Sequence, residues 1–110
     1  MTHDKGLAQR IRELLVAYDQ ILVEKKMFGG LSFMLQGNFA CGLTKTDLVV
    51  RVGPERYAEA LAHPYAREMD FTGRPMKGWV FVSPEGYEAD GDLAVWVKQG
   101  VDFALSLPPK

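Results

Sequence analysis

The stretch Lys26-Met27-Phe28-Gly29-Gly30-Leu31-Ser32-Phe33-Met34-Leu35 decides how this chain folds. Apolar residues recur at helical spacing before it and alternate with other residues after it, so the chain passes here from helix to sheet. The pair Gly29-Gly30 has no Cβ atoms and accepts backbone angles and close approaches closed to other residues. Its position reads as a bend or bulge where the chain enters the sheet.

Upstream, Leu7, Ile11, Leu14, Leu15, Tyr18 and Leu22 form one apolar stripe, which predicts a helix from about Asp4 to Val23. Thr2 or Asp4 is placed to cap its start. Downstream, Leu31, Phe33 and Leu35 alternate with Ser32 and Met34, and Phe39, Cys41 and Leu43 alternate with Ala40 and Gly42. Gln36-Gly37-Asn38 between them is a turn signal, because Gly and Asn tolerate positive φ. A second turn at Thr44-Lys45-Thr46-Asp47 leads into the β-branched run Leu48 to Val52.

Gly53-Pro54 stops the sheet, and Glu55 to Ala62 reads as a short helix with Tyr57, Ala58, Leu61 and Ala62 inward. Ala66 to Phe71 reads as a short strand, Thr72-Gly73-Arg74-Pro75 as a turn, and Gly78 to Ser83 as a strand with Trp79 and Phe81 on one face. After a loop from Pro84 to Gly91, a last helix capped by Asp90 or Asp92 runs to about Leu105, with Leu93, Trp96, Val97, Gly100, Val101 and Ala104 inward. The expected class is α+β: an antiparallel sheet of about five strands carrying N-terminal, middle and C-terminal helices.

The chain has 110 residues, enough for a single domain over residues 1–110 with a core of its own. A net charge of -1 gives no global pull toward nucleic acid. Single Cys41 excludes an internal disulfide and a multi-cysteine metal site. No apolar run is long enough to span a membrane and the N-terminus has no secretory pattern, so the cytoplasm is the expected compartment.

Several of these segments also fall into a known order. Met27-Phe28-Gly29-Gly30 follows an amphipathic helix, Gly73-Arg74-Pro75-Met76 precedes an aromatic strand ending at Pro84, and the last helix carries Trp96. In these features the chain resembles the TfoX N-terminal domain family over nearly its whole length. The resemblance implies an α+β domain like the one that begins the TfoX (Sxy) regulators of bacterial competence, and it brings no catalytic residue with it. Longer members carry a second, C-terminal domain. None follows Lys110, so a stand-alone domain is expected.

Gly29-Gly30 could cradle a phosphate, but a strand follows it where a phosphate loop has a helix, and a structural turn is the simpler reading. Cys41 lies on an apolar strand with no adjacent cation, as an inert buried thiol does. His3 and His63 stand in no metal-ligand spacing and beside no nucleophile. Glu85, Glu88, Asp90 and Asp92 lack the ligand pattern of a calcium loop.

The most informative polar group is Arg51, Arg67, Arg74 and Lys77, a small basic patch beside Trp79 if the sheet gathers it. Such a patch suits an acidic partner surface or nucleic acid. Its plainer reading is solvated charge paired with Glu68 and Asp70. Met27, Phe28, Met34, Met69 and Met76 supply adaptable apolar contacts. The candidate interaction patch is therefore Met27, Phe28, Gly29, Gly30, Arg51, Arg74, Lys77 and Trp79.

With no acid–base or nucleophile constellation, the expected function is a non-enzymatic regulatory or protein-interaction domain. No cofactor or metal is expected. The expected partner is a protein, and homodimer formation is expected because three helices do not cover both faces of such a sheet. The alternatives are a nucleic-acid-associated regulator using the basic patch, and a small-ligand domain with a pocket between helix and sheet lined by Trp79 and Trp96.

Overall fold

Residues 5–27, 30–44, 47–69 and 77–109 are described in the computed structural model. The first helix, α1 (Lys5–Leu14), is shorter than its apolar stripe suggests. A six-residue 3-10 segment, Val16–Ile21, follows it and breaks helical geometry at Tyr18 (φ -108°, ψ 16°). The chain then enters a strand, β1 (Leu22–Met27), where the sequence reading had continued the helix to Val23. Leu7, Ala8, Ile11 and Leu15 are buried, whereas Leu14 is 39% and Val16 71% exposed. Leu14 alone leaves the stripe, while Tyr18 and Leu22 still pack against the main core beyond the end of the helix.

Three antiparallel strands follow β1 in register: β2 (Gly30–Leu35), β3 (Asn38–Thr44) and β4 (Asp47–Arg51). After α2 (Tyr57–Leu61) come β5 (Ala66–Glu68) and β6 (Trp79–Val82). β6 inserts between β4 and β5, giving a six-stranded sheet in the order β1-β2-β3-β4-β6-β5. The last helix, α3 (Asp90–Ser106), closes the fold. The class is α+β, with β1 as the strand added to the expected sheet.

The β2–β3 hairpin is closed by Gln36 (φ 53°) and Gly37 (φ 84°), with Asn38 already paired to Leu35. Asn38 is buried, and its Nδ2 donates to the Pro108 carbonyl at 3.0 Å, tying the end of the chain to the sheet. Gly30 is no bend. It lies in β2 opposite Met27 and Thr44, and a Cβ there would stand 1.8 Å from the Leu43 carbonyl oxygen. The bulge sits in β3 instead, where the register shifts between Phe33↔Cys41 and Met34↔Phe39 and leaves Ala40 extra.

That bulge divides β3 between two faces. Cys41, Leu43 and Ala40 join the main core with Leu31, Phe33, Leu35, Leu48, Val50, Val80 and Val82, under α1 and α3. Phe39 turns to the opposite face, where it clusters with Val49 and Met69. The expected alternation of Phe39 with Cys41 and Leu43 on one face is corrected accordingly. All six inward positions expected for α3 are buried. Gly100 packs so closely on the bulge that a Cβ would lie 2.2 Å from the Ala40 carbonyl oxygen.

Two details of the helices differ from the sequence reading. α3 is preceded by Ala89, and neither Asp90 nor Asp92 caps it; both lie in its first turn, where carboxylates favour the helix dipole. Asp90 instead accepts a bond from Arg10 Nη2, which also donates to the Tyr87 and Glu88 carbonyls, each at 3.0 Å, joining α1 to the start of α3. In α2, Ala60 is the buried residue, while Ala58 and Ala62 are exposed.

Candidate functional site

The buried sides of α1, α2 and α3 join the main core on one face of the sheet. The other face, called here the open face because no described helical residue belongs to its cluster, holds buried Phe39, Val49 and Met69 with half-buried Met34, Trp79 and Phe81 packed against them. Strand alternation puts Trp79 and Phe81 on this face and Val80 and Val82 in the main core. Register then sets Arg51 opposite Trp79 and Arg67 opposite Phe81. Both arginines therefore share a face with aromatic rings.

The two guanidinium groups are held differently. Arg67 lies 4.9 Å from the Phe81 ring centre and donates to Asp47 Oδ2 at 2.6 Å and to Ser83 Oγ at 3.3 Å. Among the described residues Arg67 pairs with Asp47 of β4 and not with Glu68, while Asp70 lies outside the described residues. Arg51 lies 5.2 Å from the Trp79 ring centre and 5.0 Å from that of Phe103, a residue of α3. No hydrogen bond or ion pair holds its guanidinium among the described residues. Burial lowers its pKa from the ordinary arginine value, because the charged form has lost part of its water.

Trp79 also stacks at a tilt on Phe39, centroids 4.6 Å apart, which fixes the ring on which Arg51 rests. Phe103 lines a cleft of about 340 Å³ with Val52, Gly53, Pro54, Glu55, Arg56, Asp102 and Ser106. Gly53 (φ +89°) supplies its floor, where a Cβ would come within 2.5 Å of the Phe103 ring. Asp102 faces Arg56 at 3.8 Å and Lys98 at 3.5 Å.

Of the candidate patch, the structure thus brings Arg51 and Trp79 together. Lys77 is exposed two residues before Trp79. Gly30 lies buried between β1 and β3, away from that pair in the sheet order. Phe28, Gly29, Arg74 and the side chain of Met27 lie outside the described residues. Phe103 escaped the sequence reading, because it falls outside the inward stripe of α3. Its place three residues after Gly100, on the turn that touches the sheet, was the available signal.

The remaining candidates resolve into packing. Cys41 is fully buried and burial pushes its thiol up to about 12. His63 meets Trp96 edge-on at 5.0 Å. Trp96 belongs to the main core and Trp79 packs on the cluster of the opposite face, so among the described residues the two do not line one pocket. Among the described residues no group of three His, Cys, Asp or Glu could hold a metal ion. No described helix is long and apolar enough to cross a membrane.

The model of the TfoX N-terminal domain matches residues 13–104, from the end of α1 to the last turns of α3. The chain belongs to the TfoX N-terminal domain family. No curated protein and no solved structure matches it. The family match takes in the whole described sheet from β1 to β6 and all but the end of α3, so the open face and Arg51 lie inside the family domain.

Proposed function

We propose that this TfoX N-terminal domain is a non-catalytic interaction module that meets a protein partner through the open face of its sheet. The observation that carries this reading is Arg51 set against the rings of Trp79 and Phe103 with no acceptor among the described residues. An arginine backed by aromatic rings is the residue combination that dominates contact energies at interfaces. The buried neutral thiol of Cys41 and the aromatic packing of His63 support a non-catalytic role, since neither is set beside a partner for nucleophilic or acid–base work.

Self-association is a second use of the same face. β1 is an edge of the sheet, but it presents exposed Glu24, Lys25 and Lys26, and charges along an edge discourage strand pairing. Two copies would therefore meet through the open face and form a homodimer.

Affinity capture from native lysate tests the reading when three baits are compared. Wild-type protein and a helix-side control, Val95→Ser, are expected to retain the same partner, and Arg51→Ala to lose it. Equal retention by all three baits would remove the open face from the function. Light scattering on the same preparations reads self-association, with Arg51→Ala expected to shift the protein toward monomer.

A further inference from the structure

We infer that Arg51 is a carboxylate-binding residue: its guanidinium, 5.2 Å from the Trp79 ring centre and 5.0 Å from that of Phe103, receives the side-chain carboxylate of an aspartate or glutamate on the partner. This deepens the contact-surface reading and rests on it for the identity of the partner as a protein. The argument starts from a contrast among the arginines. Arg10, Arg12, Arg56 and Arg67 each face a carboxylate, at 3.0, 2.8, 3.8 and 2.6 Å. Arg51 has none among the described residues, although it is more deeply seated than an exposed side chain and has lost enough water for its pKa to fall.

A guanidinium can donate five hydrogen bonds, and those donors lie in the plane of the group. Rings accept no hydrogen bond from these donors in the ordinary sense, so packing against Trp79 and Phe103 leaves the donors to be satisfied and cuts the freedom the side chain must give up on binding. A planar carboxylate takes two parallel N–H bonds from such an edge. Phosphate is the weaker fit. It carries more charge than the one guanidinium at this position offsets. Nucleic acid would need several phosphate contacts in a row, and the next arginine on the face, Arg67, is already occupied by Asp47.

The test uses sodium acetate and inorganic phosphate as probes against the full chain, at ionic strength held constant with sodium chloride. Nuclear magnetic resonance follows the Arg51 Nε–Hε, the Trp79 indole N–H and the amides of Val52 and Gly53. Acetate is expected to shift these signals along a saturating curve, and to leave the Trp79 and Gly53 signals of a folded Arg51→Lys variant unmoved. A response no different from chloride, or an unchanged response in Arg51→Lys, would overturn the assignment. Tighter binding of phosphate than of acetate would overturn it too, since the ligand class would then be wrong. Failure here leaves the capture experiment to stand, because a face can bind a partner without a carboxylate on Arg51; failure of capture alone leaves the acetate response to be read.

Discussion

Cys41 shows how strongly position governs a single side chain. It stands in β3 among Phe33, Leu43 and Val50, with no water to solvate a thiolate, and its thiol is pushed up to about 12 by that burial alone. Attack on a thiol reagent needs the thiolate. A raised pKa keeps Cys41 neutral throughout the physiological range, so the folded protein is expected to react with a disulfide reagent only as fast as it opens. A colorimetric thiol assay with and without guanidinium checks this, and rapid labelling of the folded chain would contradict it. The burial of the thiol was readable from the sequence, because an apolar strand around a lone cysteine ordinarily buries it. The surroundings of Arg51 were half readable. The sequence offered Trp79 as a neighbour on the condition that the sheet gathered the patch, but Phe103 comes from a helix more than fifty positions away in the chain, and no local pattern announces such a contact.

Among the elements, β1 was the one the sequence concealed. Glu24, Lys25 and Lys26 are good helix formers and follow an amphipathic helix without a break signal. They suit an edge strand equally well, since only one neighbour needs their backbone and the outer side wants charge. One tie between α1 and β1 is the pair Arg12–Glu24, with Nε–Oε2 at 2.8 Å and Nη2–Oε1 at 2.9 Å. That hydrogen bonding, with the guanidinium charge, holds Glu24 below the usual glutamate value against a smaller opposing effect of burial. Because the folded pKa is depressed, the pair stabilises fully above the unfolded glutamate value and loses its effect as pH falls through the folded one. The side chains are 42% and 31% exposed, so solvent screening keeps the contribution below about 1 kcal/mol. Glu24→Gln is expected to lower stability by that order at neutral pH and by nothing measurable once wild-type Glu24 is protonated, as urea melts at the two pH values would read.

α3 offers a sharper contest between local preference and packing. Alanine is favoured over glycine inside a helix by about 1 kcal/mol. At Gly100 the added Cβ would lie 2.2 Å from the Ala40 carbonyl oxygen, which is backbone and belongs to the bulge of β3. The helix would have to lift off the sheet, at a cost of about 1–3 kcal/mol or more. Gly100→Ala is therefore expected to destabilise despite the better propensity, by denaturant titration. An unchanged or raised midpoint would show that the helix shifts freely over the bulge. The inward stripe of α3 was legible in the spacing of its apolar residues, whereas the bulge was not, since nothing in Phe39-Ala40-Cys41 distinguishes it from plain alternation.

Across the whole molecule the two faces of the sheet carry unequal shares of the apolar core, and this separates stability from contact. The helix side holds Leu43, Leu48, Phe33 and their neighbours together with α1 and α3, while the open side has, among the described residues, three buried residues and a half-buried rim. Removing a fully buried side chain costs its transfer energy and leaves a cavity. Leu43, 1% exposed between β2 and β4, should lose about 2–5 kcal/mol on Leu43→Ala. Trp79 is half-buried and already partly solvated, so Trp79→Leu, which keeps an apolar body, is expected to cost less than Leu43→Ala. Partner retention should run the other way. Leu43→Ala, assayed below its melting range, keeps the open face and its partner. Trp79→Leu keeps the fold but takes away a ring on which Arg51 rests. Parallel melts and capture on the two variants decide the matter, and a Trp79→Leu protein that unfolds as readily as Leu43→Ala would make the open face a part of the core.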